Sequence, residues 1–593
     1  MSKNKIDING IELNNEDFQK ALQIIQFTHN SLFLTGRAGT GKSTFLHYIA
    51  ATTKKKHIIL APTGIAAINA GGSTLHSFFK LPFHPLLPND RQYSVRNIRN
   101  TLKYNSDKQK LLREVELIII DEISMVRADI IDFIDKVLRV YNRNMREPFG
   151  GKQMLFVGDI YQLEPVLKEE DRKLLQAFYQ SSYFFDAKVF QQIPLVSIEL
   201  RKVYRQNDPT FISILDRIRT NQINNKDLAR INEQVCPKEK EEPVEKEKDK
   251  DLSVTLSSRR DTVDWINSQQ LDLLPNDKVT FFGNITGEFP ESSLPTSMEL
   301  VLKVGAQIMF IKNDIEKQWV NGTLGTVSGI DEEDGLLYIH TEENEDLQVE
   351  RETWENIRYR FNEEEQKIEE EQIGTFEQFP VKLAWAITVH KSQGLTFKNV
   401  TIDFTGGVFA GGQTYVALSR CKSLEGITLR EPIKRNDIFV KSEVAHFAEH
   451  FNNRSIIEKA LVQSKADKEY FDANASFERG DFDSFLKNFF LAIHSRYDIE
   501  KPIVKRFLRR KLQIINRLKD ENKALKEQQA RQAQLLKRLS AEYVVMGKDC
   551  EKEGMTSAAI NNYKKALELY PDNPSAKRKL KKLLPKETQK NKS

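Results

Sequence analysis

The feature that most constrains this chain is GRAGTGKST at residues 36–44, which matches the pattern G-x-x-x-x-G-K-[ST] in full. An apolar run at residues 31–35 precedes it, and a sequence suited to a helix follows. Gly36, Gly39 and Gly41 allow the backbone to turn tightly and to aim its N–H groups at an anion. A loop that opens a helix also gains the positive end of the helix dipole. The sequence therefore predicts a phosphate-binding loop, and this context counts against a chance match.

The side chains of this loop indicate a bound nucleoside triphosphate. Lys42 can reach the β- and γ-phosphates, and the Ser43 hydroxyl can ligate Mg²⁺. The expected cofactors are therefore ATP and Mg²⁺. The loop residues expected to bind ATP are Gly36, Gly39, Thr40, Gly41, Lys42, Ser43 and Thr44.

Two carboxylates follow an apolar run at residues 117–120. At the end of a buried strand, Asp121 can hold Mg²⁺ and Glu122 can polarise the water that attacks the γ-phosphate. An apolar run before Asp-Glu is common in large chains, but this one lies 79 residues after Lys42 in the same α/β region. We therefore expect Asp121 to be a metal ligand and Glu122 a catalytic residue.

A third apolar run, at residues 154–157, leads into Gly158-Asp-Ile-Tyr-Gln162. A glutamine at a strand tip can sense whether the γ-phosphate is present, so Gln162 is a catalytic candidate. The alternative is an ordinary Gly-Asp turn, and this segment alone does not decide between the two.

The net charge of +5 is unevenly distributed along the chain. Residues 501–593 hold 25 Lys and Arg against 10 Asp and Glu, a net charge of +15, and the rest of the chain carries −10. A basic arm can contact nucleic acid, and it can equally be a solubilising surface. Composition leaves both interpretations open.

Cysteine usage and hydropathy predict the compartment. Three cysteines lie far apart and form no CxxC pair, which argues against a cysteine-based zinc or iron–sulfur site. The first residues lack a signal-peptide core, and no run approaches the ~20 apolar residues of a membrane helix. We expect a soluble intracellular protein without membrane association, cytoplasmic and nucleoid-associated if bacterial, and nuclear otherwise.

Short apolar runs alternate with helical or loop sequence over the first ~210 residues, which predicts a parallel sheet covered on both faces. A proline-rich, then polar helical stretch at 80–112 indicates an inserted subdomain. The expected strands are 31–35, 57–61, 116–120, 153–157 and 196–200.

The next region begins with a charged run at 237–251 that is typical of a linker. A strand at 252–256 and a helix follow, and a β-rich stretch spans about 299–330. Residues 331–380 alternate charged and apolar side chains, which predicts a small β insertion, and 381–430 return to α/β character.

The chain becomes helical from about residue 441, with a long basic helix or short coiled coil at 501–541. Residues 543–571 fit a tetratricopeptide repeat. One repeat cannot bury a solenoid core, so two interpretations of this region remain, a helical cap and a peptide-binding module. The matching residues are Gly547, Gly554, Ala559, Tyr563, Ala566 and Pro571, with a weaker echo at Gly480, Phe489 and Ala492.

These motifs together resemble the PIF-type (petite integration frequency) branch of the superfamily-one helicases, whose relatives include RecD. The resemblance covers about residues 13–440. The segments that carry it, besides the phosphate-binding loop, are APTGIAAINAGGSTLHSFF (61–79), IIIDEISM (118–125), GDIYQLEPV (158–166), LRKVYRQND (200–208), VKLAWAITVHKSQGLTF (381–397) and YVALSRCKSLEGI (415–427).

The resemblance implies an α/β fold of two RecA-like P-loop NTPase domains, at 1–210 and 211–440, with ATP between them. It implies a wedge-like insertion near 80–112 and an SH3-like barrel near 331–380; an all-α extension at 441–593 lies beyond it. The implied activity is an ATP-dependent DNA helicase that moves 5′→3′ and unwinds DNA in repair, recombination or genome maintenance. Its partners would be single-stranded DNA and duplex junctions, with a protein partner possible at the C-terminal region.

The resemblance also assigns roles to single residues. Gln19 would read adenine, Arg205 and Arg420 would be arginine fingers, and Gln393 and Gly394 would approach the nucleotide. The residues implied to face DNA are Thr63, Gly64, Thr74, His76 and Phe78 in one segment, and His390, Lys391 and Ser392 in another.

Two rival functions remain at this stage. A phosphate-loop ATPase could remodel protein rather than DNA. The chain could also be a scaffold whose helical end recruits a partner while the motor is secondary.

Overall fold

The computed structural model describes residues 15–590, apart from 83, 205–207, 237–251, 315, 317, 363, 366 and 497. The charged run predicted as a linker, 237–251, lies outside the described residues. The chain forms two compact units, and the boundary between them falls after Lys468. Within the described ranges we find no helix that combines the length and apolar character needed to span a bilayer.

The first sheet has six parallel strands in the spatial order β3-β2-β4-β5-β1-β6. All five strands expected from apolar runs form within one residue of their expected ends. The sequence did not indicate β3, because its two residues carry no apolar pattern. The strands are β1 Leu32–Gly36, β2 His57–Ala61, β3 Ser73–Thr74, β4 Leu117–Ile120, β5 Gln153–Val157 and β6 Val196–Leu200.

This sheet is buried on both faces, as its continuous apolar strands predict. Alternate residues of β4 enter opposite clusters: Ile118 and Ile120 lie in one, Leu117 and Ile119 in the other. The helices around this sheet are α1 Glu16–Phe27, α2 Lys42–Thr52, α3 Gly64–Ala70, α4 Leu75–Phe79, α5 Ile98–Leu102, α6 Ser106–Glu114, α7 Ala128–Asn142 and α8 Glu169–Gln176.

The segment expected as an insertion, 80–112, packs onto the same core. Its buried side chains, Leu86, Tyr93 and Leu111 among them, join the cluster that contains α7. The buried Asp129 carboxylate accepts a hydrogen bond from the Leu86 N–H at 2.9 Å, which fixes the start of the segment against α7.

The second sheet is also parallel and has four strands, in the order β18-β7-β19-β20. These strands are β7 Val254–Ser257, β18 Ala386–Thr388, β19 Val400–Asp403 and β20 Ile427–Leu429. The helices of this region are α9 Pro209–Arg219, α10 Asn225–Asn232, α11 Arg260–Leu273 and α12 Gln413–Leu418.

Antiparallel strands occupy the stretch between α11 and β18, and they begin before the expected β-rich stretch at 299–330 and the expected insertion at 331–380. They form a five-stranded sheet, β14-β13-β12-β11-β17, a three-stranded sheet, β15-β16-β9, and a pair, β10-β8. The strands are β8 Val279–Phe282, β9 Asn284–Gly287, β10 Glu299–Leu302, β11 Gln307–Phe310, β12 Leu324–Asp331, β13 Leu336–Thr341, β14 Asp346–Val349, β15 Glu352–Asn362, β16 Lys367–Gln378 and β17 Val381–Leu383.

The first compact unit extends beyond the expected boundary at 440. Helix α13, Ser442–Ala448, places Phe447 parallel to Phe185 with ring centroids 4.2 Å apart. Val444 is buried in the same cluster as the first sheet. Ile457 and Ala460 of helix α14, Arg454–Glu478, are buried against the other face of the first sheet, so the first part of α14 also belongs to this unit and the boundary lies at 468.

The second compact unit is helical, as expected, and contains α15 Phe482–Arg496, α16 Pro502–Lys552, α17 Thr556–Leu569 and α18 Pro574–Lys590. Ala559, Tyr563 and Ala566 of α17 are buried with Val544 of α16. The expected helix–turn–helix of residues 543–571 is therefore present, and its assignment as a tetratricopeptide repeat stays a prediction.

Gly547 lets α16 and α17 approach closely, because a Cβ atom there would lie 2.7 Å from the buried Tyr563 ring. We predict that Gly547→Ala destabilises this helix pair by about 1–3 kcal/mol, the usual result of overpacking. Hydrogen exchange of the full chain should then accelerate at least several-fold across 540–570. The exposed Asn561→Ala in α17 is the matched control, and equal exchange in both variants would contradict this account of the packing.

Candidate active site

The candidate site lies where β1, β4 and β5 end, at the carboxyl edge of the first sheet. These three strands are neighbours, so the loops that follow them come together. They enclose a cavity of about 500 Å³ together with residues that follow β18 and α12. We call this contact between the two parallel sheets the seam. The cavity is lined by Phe18, Ala38, Gly39, Gly41, Lys42, Ser43, Thr44, Asp121, Glu122, Gly158, Gln162, Tyr204, Gly394 and Arg420.

The phosphate-loop sequence forms the expected turn between β1 and α2. Gly41 has φ +83°, in the left-handed region that favours glycine, and the next residue begins the helix. A Cβ atom at Gly36 would lie 2.6 Å from Thr40 Oγ1 and 2.7 Å from the Leu200 carbonyl oxygen. The Lys42 ammonium donates to the carbonyl oxygens of Gly36 at 2.8 Å and Arg37 at 2.9 Å, so it lies over the loop.

The two carboxylates after β4 both line the cavity. Burial, with the neighbouring carboxylate second, raises the pKa of Asp121. Burial also raises the pKa of Glu122, while Lys42 and Arg420 oppose the rise. Glu122 has φ +48°, a conformation that costs a non-glycine residue about 1–3 kcal/mol. Such strain is typical of functional positions.

Gln393 connects this acidic pair to the second sheet. Its Nε2 donates to Glu122 Oε2 at 2.8 Å and to Gln162 Oε1 at 3.1 Å. Within the described residues, the buried Gln393 Oε1 lacks a hydrogen-bond partner. Three side chains assigned to the nucleotide site from sequence therefore meet in the structure.

The residues present suit Mg²⁺. Ser43 and Asp121 line one cavity, and a hydroxyl with one carboxylate is a donor set that Mg²⁺ takes when phosphates complete its shell. In the part of the chain that the structure describes, no group of three or more His, Cys, Asp or Glu could hold a metal ion. A site made by the protein alone is thus not found among these residues.

Arg420 is held rigidly at the seam. Its side chain is 1% exposed, and it also lines the cavity. The guanidinium donates to the carbonyl oxygens of Val416 (2.9 Å), Ser392 (3.2 Å) and Leu395 (3.2 Å) and to the Ser419 hydroxyl (2.9 Å). The other expected arginine finger, Arg205, lies outside the described residues.

Two aromatic side chains at the cavity were missed by the sequence analysis. Phe18 and Tyr204 line it, whereas Gln19, the expected adenine reader, is exposed on α1 and not among the lining residues. The Tyr204 N–H donates to the Gly39 carbonyl oxygen at 2.8 Å, which places its ring beside the phosphate loop. The only sequence signal was the position of these residues next to Gln19 and Arg205.

The first segment expected to face DNA is only partly available. Thr63 and Thr74 cap α3 and α4 through their hydroxyls, and Gly64 lies close to Ser293. Burial lowers the pKa of His76, so its ring is neutral at pH 7.

The Phe78 side chain, expected to face DNA, is buried in this structure. It is 4% exposed and packs edge-on against Phe79 and Tyr359. The Lys108 ammonium lies 2.9 Å from the ring centroid. Helix α4 turns this residue toward the core, so its ring is unavailable to a base.

The second segment expected to face DNA also contains both exposed and buried side chains. Lys391 is exposed, and His390 is half-buried with a burial-lowered pKa. The Ser392 side chain, also expected to face DNA, is fully buried and donates to the Val389 carbonyl oxygen at 2.8 Å, and the Ser392 carbonyl oxygen accepts a hydrogen bond from Arg420. Phe409, which the sequence analysis missed, is 64% exposed and lies nearly parallel to His390 with centroids 6.4 Å apart.

Known proteins resemble this chain in sequence. The family described as PIF1-like helicase matches residues 13–229. The ATP-dependent DNA helicase Pif1 of Bdellovibrio bacteriovorus is 30% identical over 452 residues, which cover 75% of this chain and 93% of that protein. The mouse ATP-dependent DNA helicase PIF1 is 33% identical over 427 residues, 70% of this chain. The match spans 60% of the mouse protein's length.

Solved structures agree with this likeness. The crystal structure of Bacteroides sp Pif1 in complex with ADP-AlF4 is 39% identical, has a TM-score of 0.67 and matches 74% of this chain and 97% of its own. The crystal structure of Pif1 helicase from Candida albicans is 29% identical and has a TM-score of 0.54. The match covers 74% of this chain and 99% of the Candida chain. The expected fold class, α/β with two RecA-like domains and a helical C-terminal region, is confirmed. The chain belongs to the PIF1-like helicase family.

Proposed function

We propose that this protein is an ATP-dependent DNA helicase that translocates on single-stranded DNA and unwinds duplexes. The observation that carries the proposal is the composite cavity at the seam. It brings Lys42, Asp121 and Glu122 of the first sheet together with Arg420 of the second. A nucleotide bound there would contact both sheets, as a motor driven by closure requires.

Each cavity residue has a defined role in this proposal. Lys42 leaves the carbonyl oxygens of its loop and binds the β- and γ-phosphates. Ser43 and Asp121 would hold Mg²⁺, which would supply positive charge beside the phosphates. Glu122 accepts a hydrogen bond from the attacking water and acts as general base. Arg420 places a fixed planar cation on the transferring phosphoryl group, and we propose Arg205 as the second arginine finger.

Two further groups complete the proposed nucleotide site. Gln162 and Gln393 share a hydrogen bond beside Glu122, and the orphaned Gln393 Oε1 can accept one from the water. Phe18 and Tyr204 offer apolar faces for the base, and Gln19 stays a proposal for adenine recognition. Loss of the γ-phosphate would remove the bridge to Arg420 and allow the seam to open.

The relatives support a DNA substrate. One solved structure is that of Bacteroides Pif1 bound to ssDNA, which is 40% identical to this chain with a TM-score of 0.53. In this chain we assign the DNA face to side chains outside the core: Thr63, Thr74, His76, His390, Lys391 and Phe409, with the Gly64 backbone. Hydroxyl groups suit contacts with phosphates, and neutral or aromatic rings suit stacking with unstacked bases.

Closure and opening of the seam would convert hydrolysis into movement if each domain grips DNA differently in the two states. Opening a duplex costs about 1.4 kcal/mol per base-pair step, which is modest for an ATP-driven motor. We propose domain 1 at 1–210, with α13 packed against it, domain 2 at 211–440, and a C-terminal helical region that recruits a protein partner. The polarity, 5′→3′, follows from family resemblance. The proposed setting is genome maintenance in the compartment that holds the DNA.

Tailed duplexes test the function directly. Purified protein should hydrolyse ATP slowly alone and much faster with single-stranded DNA, because DNA binding favours the closed seam. It should unwind a duplex with a 5′ tail and leave a 3′-tailed duplex largely intact. Equal unwinding of both would refute the polarity, and ATP hydrolysis indifferent to DNA would favour a protein-remodelling ATPase.

Glu122→Gln tests the chemistry of the cavity. The variant keeps the size and hydrogen bonding of the side chain but removes the base, so turnover should fall about 10²–10⁴-fold. Calorimetry should show ADP affinity within a few-fold of the wild type. Glu170→Gln, an exposed change on α8, is the matched control. Substantial hydrolysis by Glu122→Gln would assign the base to another residue.

A further inference from the structure

A buried ion pair joins the two sheets next to the nucleotide cavity. Asp159, which follows β5, is 0% exposed, and Arg219 at the end of α9 is 3% exposed. Arg219 Nη2 lies 3.0 Å from Asp159 Oδ1, and Nε lies 3.2 Å from both carboxylate oxygens. Breaking a buried pair leaves an uncompensated charge, so this contact strongly favours one arrangement of the two elements.

Arg219 is fixed from further directions. Its Nη1 donates to Glu199 Oε1 of β6 at 2.9 Å, and its guanidinium carbon lies 4.4 Å from the centroid of the Tyr161 ring. Two carboxylates and one aromatic face of the first sheet's region thus hold one cation of α9. The guanidinium is rigid and cannot follow a shift of either sheet without losing these contacts.

Tyr415 of α12 extends this network to the phosphate loop. Its hydroxyl donates to Asp159 Oδ2 at 3.4 Å and accepts a hydrogen bond from the Ala38 N–H at 3.1 Å. Burial, with the charge of Asp159 second, raises the pKa of Tyr415, so the hydroxyl stays protonated and can make both bonds. A continuous polar chain therefore runs from α9 through Asp159 and Tyr415 to the backbone of the phosphate loop.

We propose that Tyr415 is a positioning residue for nucleotide binding: anchored by the Asp159–Arg219 pair, it holds the phosphate loop through the Ala38 N–H. The inference rests on the proposed ATP site and adds residues outside it, because Tyr415, Asp159 and Arg219 are not among those lining the cavity. Tyr415 and Arg219 belong to the second sheet's region and Ala38 to the first. A shift at the seam therefore displaces the loop, and nucleotide affinity depends on closure by linkage.

Tyr415→Phe removes one hydroxyl and keeps the ring. In steady-state ATP hydrolysis with saturating oligothymidylate, the KM for ATP should rise about tenfold, equivalent to about 1.4 kcal/mol. The kcat should stay within twofold, because Lys42, Glu122 and Arg420 remain in place. Calorimetric titration with ADP should show a similar loss of affinity. A purely structural role would lower thermal stability without this split between KM and kcat.

Matched variants separate the alternatives. Tyr141→Phe, at a buried tyrosine in α7 away from the seam, should leave KM and ADP affinity unchanged. Arg219→Lys keeps the charge but loses the second contact to Asp159, so KM should rise in the same direction; it decides the matter if Tyr415→Phe does not fold. KM and ADP affinity within twofold of wild type in the folded variants would overturn the inference. If the wild type lacks ATPase activity, the proposed function fails and the ADP titration still tests Tyr415.

Discussion

The site depends on three adjacent parallel strands, β4, β5 and β1, that end at one level. Their register pairs Ile120 with Phe156 and Leu34 with Val157, so the loops that follow them start side by side. Both faces of these strands are buried in closely packed clusters, so a slip in register would disrupt the packing on both faces. The phosphate loop, the acidic pair and Gln162 are brought together by this constraint, although they lie far apart in sequence.

The second sheet's region contributes side chains to the cavity at the seam, while the phosphate loop and the acidic pair belong to the first sheet's region. Arg420 reaches the cavity already held by backbone carbonyl oxygens, and Gln393 reaches Glu122 and Gln162. Preorganised groups of this kind stabilise developing charge with little reorganisation during reaction. The Asp159–Arg219 pair and Tyr415 add a second connection across the same contact, beside the nucleotide rather than on it. The proposed chemistry and closure therefore share one set of elements in this member of the PIF1-like helicase family.

Much of the first domain could be predicted from sequence because its signals are local. Continuous apolar runs identified β1, β2, β4, β5 and β6, and the loop motif located Lys42 and its neighbours. Which way a side chain points was harder to predict. Phe78 and Ser392 match DNA-facing segments, yet the turns that carry them direct both inward. Phe18, Tyr204 and Arg219 were not predicted as parts of the site, because their contacts with it form only when the chain folds. The expected β-rich stretch at 299–330 and insertion at 331–380 left out β8 and β9, and β9 pairs with β16 across about 90 residues of sequence.

The most direct test of this account is a crystal structure of the protein with ADP, aluminium fluoride and Mg²⁺. We expect the nucleotide in the cavity at the seam, with the fluoride group within about 3 Å of Lys42 on one side and an arginine of the second sheet's region on the other. The same map should show Tyr415 still bonded to the phosphate loop. A nucleotide contacted by the first sheet's loops alone, with Arg420 turned away and the two sheets separated, would contradict the claim that ATP joins the two domains.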